Sequence, residues 1–236
     1  MKGVGMQNFP HQFRALVIGS SGAMGAALVA ALEQQARCST VIGLHRHSTP
    51  RIDFADETTI AEAAATLSST ARFHLIINAT GILHQAGMMP EKRLADLNYA
   101  HLQTIFQVNT LGPALVLRHF APLLDPERGV MALLSAKVGS IGDNRLGGWY
   151  GYRASKAALN MLVKTAAIEL ARSNKQSVLV ALHPGTVNSA LSRPFRGEQI
   201  GRPAADVAAD LLQVIDGLTA ADSGSFRSYK GEILPW

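Results

Sequence analysis

The composition indicates a chain that folds into one or two compact α/β domains. Of its 236 residues, 47% are hydrophobic and 17% are charged, which is enough to bury a substantial core. No apolar stretch is long enough to span a bilayer, and residues 1–12 lack the apolar region of a secretory signal, so we expect a soluble protein with a loose N-terminal arm. The single cysteine, Cys38, cannot form an internal disulfide, which favours a cytoplasmic location.

The net charge of +5 has two interpretations. A basic surface could bind nucleic acid or anionic lipid, or a few arginines could serve an anionic cofactor while the rest are solvated. The sequence contains no block of basic residues, no stacking aromatic residues among the basic ones and no zinc-finger spacing. We therefore predict no nucleic-acid partner and no membrane span, and expect the charge to serve a cofactor.

The first motif is a strand followed by a glycine turn and a helix. Residues 13–18 form an apolar run, residues 19–25 read Gly-Ser-Ser-Gly-Ala-Met-Gly, and helical periodicity follows over 26–36. Glycines let the backbone approach a pyrophosphate, and the amide groups and dipole of the helix N-terminus favour its charge. The glycine spacing is not the commonest one, but its position predicts a dinucleotide-binding turn. The residues assigned to it are Gly19, Ser21, Gly22, Ala23, Met24 and Gly25.

The second predicted strand, residues 40–44, is followed by His45-Arg46-His47. A site that prefers NAD usually carries an acidic residue here for the ribose 2′-hydroxyl, whereas an arginine suits a 2′-phosphate. No acid is present and Arg46 is well placed, so the sequence predicts NADP(H) in preference to NAD(H). The alternative is that Arg46 is a solvated surface residue.

Further apolar runs alternate with helical stretches through the rest of the chain. Strands are predicted at 50–54, 73–79, 128–134, 176–182 and from 226, with helices at 56–69, 99–120, 157–172 and 204–218. This alternation is typical of a parallel sheet covered on both faces. The predicted fold is a single Rossmann-type domain over residues 13–236, a doubly wound parallel sheet of about seven strands. Ligands would bind beyond the carboxyl ends of the strands, where Gly19, Arg46, Asp53 and Asn78 fall.

Tyr152 and Lys156 lie four residues apart in a stretch that favours a helix, so their side chains share one face. A neighbouring cation favours the phenolate, and the pKa of Tyr152 is expected to fall from about 10 towards neutrality. Such a tyrosine can give a proton to, or take one from, a carbonyl or carbinol oxygen. Taken alone, the pair favours an ordinary amphipathic helix, because short patterns of this kind recur by accident.

Two other features leave alternatives open. Asn109 and the following Gly112 and Pro113 disfavour a regular helix over 99–120. Either this is a kinked structural helix, or Asn109 is there because it serves a site. The polar stretch 189–203 carries Arg193 and Arg196, which could meet a carboxylate or phosphate of a substrate or could be solvated loop charges.

These motifs together resemble the short-chain dehydrogenase/reductase family over nearly the whole chain, from Phe13 to Trp236. They occur in the order of that family: the glycine turn, Asp53, Asn78-Ala79-Thr80-Gly81, Asn109, Ser135, Tyr152-x-x-x-Lys156 and Pro184-Gly185. Residues 135–144 with 147–150, and the stretch 229–236, resemble the C-factor-like branch more narrowly.

The resemblance implies roles for individual residues. Tyr152 would be the general acid or base, Lys156 would lower its pKa and hold the nicotinamide ribose, Ser135 would bind the substrate oxygen, and Asn109 would support a proton relay. Cofactor contacts would come from Asp53 near the adenine, from Asn78, Ala79, Thr80 and Gly81 near the adenosine, and from Pro184, Gly185, Thr186 and Val187 near the nicotinamide. A small carbonyl or alcohol substrate and a homodimer or homotetramer are expected on the same grounds.

The sequence departs from the family pattern in three places. The middle glycine of the turn is Gly22, where the family has it at the position of Ala23, and Asn78-Ala79-Thr80-Gly81 replaces the usual Asn-Asn-Ala-Gly. The family's serine, three residues before a glycine, would align with Ala136. Ser135 is preferred because it closes a strand, and Ser140 is its competitor.

Two classes of function follow. The first is an NADP(H)-dependent carbonyl reductase or alcohol dehydrogenase, favoured by the tyrosine and lysine. The second is a non-catalytic, dinucleotide-binding signalling or scaffold protein, suggested by the C-factor-like branch and the displaced serine.

Overall fold

The computed structural model describes residues 5–69 and 72–236. Its strands all pair in parallel in the order β2-β1-β3-β4-β5-β6. They are β1 (Phe13–Ile18), β2 (Cys38–Leu44), β3 (Leu75–Asn78), β4 (Val130–Leu134), β5 (Val178–His183) and β6 (Ser225–Ser228). The helices are α1 (Ala23–Glu33), α2 (Glu57–Ser68), α3 (Tyr99–Phe106), α4 (Gly112–Phe120), α5 (Tyr150–Ser173), α6 (Gly197–Ile200) and α7 (Ala204–Asp216). The predicted doubly wound parallel fold is confirmed.

Helices cover both faces of the sheet because alternate strand residues point to opposite sides. In β1, Leu16 and Ile18 join one buried cluster, whereas Ala15 and Val17 join the other. The first cluster is completed by side chains of α2, α4 and α5, and the second by side chains of α1 and α7. Because the inner strands β1, β3, β4 and β5 are buried on both faces, the polar groups at their ends are left to form a site.

The described residues form six strands rather than about seven, because the strand predicted at 50–54 is a loop. Ile52 is buried, but its amide donates to the His45 carbonyl at 3.1 Å, which turns the segment back onto the end of β2. The amide of Asp53 then donates to the Thr59 hydroxyl at 2.9 Å, at the start of α2. A short apolar run does not reveal whether a neighbouring strand is available for pairing.

The N-terminal arm, predicted to be loose, is anchored to the core by two buried residues. Met6 and Phe9 are each 1% exposed and belong to the buried cluster that contains β1 and α7. The Asn8 amide donates to the Asp216 carboxylate at 2.9 Å, which fixes the arm to the end of α7. Residues 1–4 of the predicted arm lie outside the described residues.

Within the described ranges, no helix is both long enough and apolar enough to cross a membrane.

Candidate active site

The glycine turn after β1 and the loop after β3 lie directly against each other. Gly19 has a φ of +86°, and a Cβ atom there would stand 2.9 Å from Cγ2 of Thr80. The buried Asn78 side chain shapes the second loop, because its Oδ1 accepts hydrogen bonds from the Thr80 amide at 3.2 Å and the Thr80 hydroxyl at 2.7 Å. Two of the predicted cofactor-binding segments therefore form one surface.

The glycine turn has the form of an anion cradle. A Cβ on Gly25 would lie 2.1 Å from the Gly19 carbonyl oxygen, so only glycine allows this close approach of helix and turn. Gly22 is the N-cap of α1, and the first turn of α1 carries no acidic residue. The amide groups that begin a helix have no partner within it, so this end offers donors and a positive dipole to a phosphate.

Gly81 connects this cradle to the predicted catalytic residues. A Cβ on Gly81 would lie 3.4 Å from Nζ of Lys156 and 3.5 Å from Oδ1 of Asn109. The completely buried Asn109 accepts from the Ile82 amide at 2.8 Å and donates to the Ile82 carbonyl at 2.9 Å and the Ser155 hydroxyl at 3.1 Å. Its side chain therefore holds the chain just after Gly81 against α5.

The irregular helix around Asn109 is a π-helical turn at Gln107–Leu111, between α3 and α4. Such turns are rare and often occur at functional sites. The irregularity expected from the sequence is confirmed, and the turn carries Asn109 to the strand ends. The role of Asn109 in a site stays a prediction.

Tyr152 and Lys156 lie one turn apart near the beginning of α5. Lys156 is buried, its Nζ donates to the Leu134 carbonyl at 2.9 Å, and burial lowers its pKa to about 8. Burial raises the pKa of Tyr152 to about 12. The predicted fall in the tyrosine pKa is wrong for this structure, because loss of solvation dominates and, among the described residues, no hydrogen bond joins the phenol to Lys156.

Neither candidate serine has a free hydroxyl. Ser135 is buried and donates to Oδ1 of Asn160 at 2.6 Å. Ser140 is also buried, donates to the Trp236 carbonyl oxygen at 3.3 Å and accepts from the Asp143 amide at 3.1 Å. Ala136, the position at which the family's serine is expected, follows Ser135 directly. The role of either serine in binding the substrate stays a prediction. Each hydroxyl would have to give up its present hydrogen bond before it could donate to a substrate.

Arg46 and Asp53, the residues predicted to lie near the adenosine, both follow β2. Arg46 is exposed, and it forms no hydrogen bond or ion pair with any residue of the described ranges. The carboxylate of Asp53 accepts one hydrogen bond, from the Ala55 amide at 3.0 Å. The segment that was predicted as a strand therefore still brings Asp53 close to the end of β2.

The segment after β5 closes the site on the other side. Gly185 has a φ of +74°, and a Cβ there would lie 2.8 Å from Cε1 of Tyr229. The preceding His183 has a buried Nδ1 without a hydrogen-bond partner among the described residues, and burial lowers its pKa to about 4, so the ring is neutral. An unpaired buried nitrogen is uncommon, and together with the glycine cradle it fits a site that accepts a polar group at the strand ends.

Three aromatic residues beside Tyr152 were not predicted. Trp149 packs edge-to-face on Tyr152 with ring centroids 6.2 Å apart and on Phe195 at 4.9 Å, and His84 packs on Phe195 at 5.8 Å. These contacts join the loop after β3, the start of α5 and the stretch 189–203. The only sequence signal was the position of Trp149 beside Tyr152, because the other two residues are far away along the chain.

The stretch 189–203 folds over this edge of the site as a lid, and backbone hydrogen bonds join the two ends of the lid to each other. The Asn188 amide donates to the Arg202 carbonyl at 2.9 Å, and the Arg202 amide donates to the Thr186 carbonyl at 3.0 Å. Within the lid, Arg193 pairs with Glu198 at 2.9 Å and Arg196 donates to Gln199 at 3.0 Å. Both arginines are exposed and locally paired, which favours solvated loop charges over substrate ligands.

The comparisons with known proteins agree with this geometry. Residues 19–213 match a family profile described as enoyl-(acyl carrier protein) reductase. The chain is 33% identical over 187 residues to 1-hydroxy-2-glutathionyl-2-methyl-3-butene dehydrogenase of Rhodococcus sp. strain AD45, which covers 79% of each protein. It is 36% identical to C-signal of Myxococcus xanthus, over 74% of this chain and 99% of that protein.

The chain belongs to the short-chain dehydrogenase/reductase family. Its fold superposes on NADPH-bound carbonyl reductase from chicken fatty liver with a TM-score of 0.82, covering 97% of this chain and 96% of the other. At 21% sequence identity, this likeness shows the fold alone. The family and its C-factor-like branch, both expected from the motifs, are confirmed, and the chain is an oxidoreductase of this family.

Proposed function

We propose that this chain is an NADP(H)-dependent reductase of carbonyl compounds, or dehydrogenase of the corresponding secondary alcohols, in which Tyr152 is the general acid or base. The observation that carries the proposal is the continuous surface from Gly19 through Thr80 and Gly81 to Lys156. It places an anion cradle and a tyrosine–lysine pair at the same edge of the sheet, where ligands of parallel α/β folds bind.

When bound, the nicotinamide supplies the hydride, and the protein supplies placement and electrostatics. Tyr152 gives its proton to the substrate oxygen in reduction. Burial raises its pKa to about 12, so at neutral pH the phenol carries the proton that reduction of a carbonyl requires. Lys156, whose pKa is about 8, carries a positive charge at neutral pH that stabilises the phenolate once the proton has left.

The other residues support this step. Asn109 holds the loop after Gly81 against α5, which keeps the dinucleotide surface in register with Lys156. Trp149 packs edge-to-face on Tyr152, and Phe195 packs on Trp149, so an apolar surface borders the tyrosine ring on this side. The relatives support the same chemistry, since one is named a dehydrogenase and a solved neighbour is an NADPH-bound carbonyl reductase.

The signalling or scaffold role has one observation in its favour, the alanine at position 136 in place of the expected serine. The presence of both Tyr152 and Lys156 at the strand ends favours the enzyme, because a scaffold does not require this pair.

The proposed cofactor preference is tested by titrating the protein with NADPH and NADH and following nicotinamide fluorescence. We expect tighter binding of NADPH, and we expect Arg46→Ala to weaken NADPH binding about 10- to 150-fold while NADH binding changes less than about twofold, because one charge-assisted phosphate contact contributes about 1.5–3 kcal/mol. The matched control is Arg118→Ala, an exposed arginine of α4 that pairs with Glu57. Equal affinity for both dinucleotides would contradict the assignment of Arg46.

A further inference from the structure

Glu91 is a buried carboxylate in the loop between β3 and α3, and only 5% of it is exposed. Buried carboxylates are rare unless they are paired. Its side-chain Oε2 accepts a hydrogen bond from the Gly151 amide at 3.0 Å, and its backbone oxygen accepts one from the Trp149 amide at 2.5 Å. Both donors belong to the beginning of α5, sixty residues further along the chain.

The beginning of α5 lacks the usual means of satisfying its amide groups. Its N-cap residue, Trp149, has a left-handed φ of +54° and its side chain accepts no capping hydrogen bond. The first amide groups of a helix have no partner within it and are normally satisfied by an oxygen of the N-cap side chain. Glu91 replaces that oxygen, and its charge is favourable at the positive end of the helix dipole.

The Glu91 carboxylate fits closely against the backbone of Gly151. A Cβ on Gly151 would stand 2.8 Å from Oε1 of Glu91, so the absence of a side chain at 151 is what lets the carboxylate reach the backbone. Tyr152 follows directly, and Glu91 and Tyr152 line the same cavity of about 10 Å³ together with His101 and Ile105. The carboxylate therefore binds the amide of the residue immediately before the tyrosine.

We propose that Glu91 is a positioning residue that sets the direction of the Tyr152 and Trp149 side chains at the start of α5. Its carboxylate acts through the amide of Gly151, and its backbone oxygen acts through the amide of Trp149. This inference rests on the proposed function, because the reaction is what requires the tyrosine to be placed accurately. A displacement of about 1 Å at a reacting group lowers turnover by about 100-fold.

The test is the steady-state kinetics of Glu91→Ala and Glu91→Gln, on a carbonyl compound that the wild type reduces with NADPH. We expect Glu91→Ala to lower kcat about 10- to 100-fold while the Kd of NADPH, measured by fluorescence, changes less than about twofold. Glutamine keeps an oxygen that can accept from Gly151, so Glu91→Gln is expected to restore kcat to within about threefold of the wild type. The matched control is Asp56→Ala, which removes the capping carboxylate of α2 and is expected to leave kcat unchanged.

Glu91→Asp covers the case in which the alanine variant does not fold. Aspartate keeps the charge but is one methylene shorter, so a large loss of kcat in this variant with little loss in the glutamine variant would support positioning through the hydrogen bond. Unchanged kcat in Glu91→Ala, or in both Glu91→Asp and Glu91→Gln, would overturn the inference while the proposed function stands. A wild type that binds NADPH but reduces no carbonyl compound would overturn both.

Discussion

At the residue scale, the two hydroxyl groups expected to contact the substrate oxygen, those of Tyr152 and Ser135, differ in how available they are. Tyr152 has no hydrogen bond to Lys156 in the described ranges and is protonated at neutral pH, whereas the Ser135 hydroxyl is committed to Asn160. We expect Tyr152→Phe to lower kcat at least about 1,000-fold, since it removes the general acid. We expect Ser135→Ala to lower it less than about tenfold. Steady-state assays of both variants, with Ser140→Ala beside them, check this, and equal losses in the tyrosine and Ser135 variants would show that Ser135 binds the substrate.

Lys156 provides a pH-dependent test at the same scale. Its pKa is lowered from 10.5 to about 8 by burial, so between these values the folded protein holds fewer protons than the unfolded chain, and the free energy of unfolding rises with pH. Below about pH 8 the cost of burying the charge is fully present. We expect the unfolding free energy of the wild type to rise by about 2 kcal/mol more than that of Lys156→Met between pH 7.5 and 9.5. Urea unfolding at both pH values measures this, with Lys164→Met, an exposed lysine of α5, as the control. Parallel pH profiles for wild type and Lys156→Met would contradict the lowered pKa.

At the element scale, α5 is the helix around which the site is assembled. Its first turn receives Glu91 from the loop after β3, and its half-buried N-cap residue Trp149 packs against Phe195 of the lid. Its second turn places Lys156 against the carbonyl that ends β4. The lid had been predicted only as a polar stretch. Its short α6 and its backbone pairing with residues 186–188 depend on contacts that no local pattern encodes. The prediction for Glu91 therefore belongs to this helix as a unit rather than to a single side chain.

At the scale of the whole molecule, the N-terminal arm contributes to the core instead of extending into solvent. Phe9 is 1% exposed, packs on Phe13 with ring centroids 5.1 Å apart and lies 4.7 Å from the guanidinium carbon of Arg128. We expect Phe9→Ala to lower the free energy of unfolding by about 3–5 kcal/mol, as for other buried phenylalanines. Denaturant unfolding measures the change, and His11→Ala, an exposed residue of the same arm, is the control. A loss below about 0.5 kcal/mol would mean that the arm is loose in solution.

Local patterns were sufficient for the parts of this protein in which a segment determines its own structure. The strand–glycine–helix unit at 13–33, the tyrosine and lysine on one helical face and the irregularity at Asn109 all follow from spacing, glycine geometry and helix periodicity. The order of these motifs along the chain was also sufficient to identify the family. Each depends on residues that are close together in the chain, so the sequence alone determined them.

Tertiary structure alone decided the rest, because burial and pairing depend on residues that are distant in sequence. Only the folded chain shows that residues 50–54 turn back instead of pairing as a strand, and that Met6 and Phe9 of the arm are buried. It alone shows that the Ser135 hydroxyl donates its hydrogen bond to Asn160. It also reverses the expected pKa shift of Tyr152, since the sequence shows the neighbouring cation but not the loss of solvent. Glu91 is a further example, because a carboxylate sixty residues away becomes the cap of α5 only after the sheet has brought both segments to the same edge.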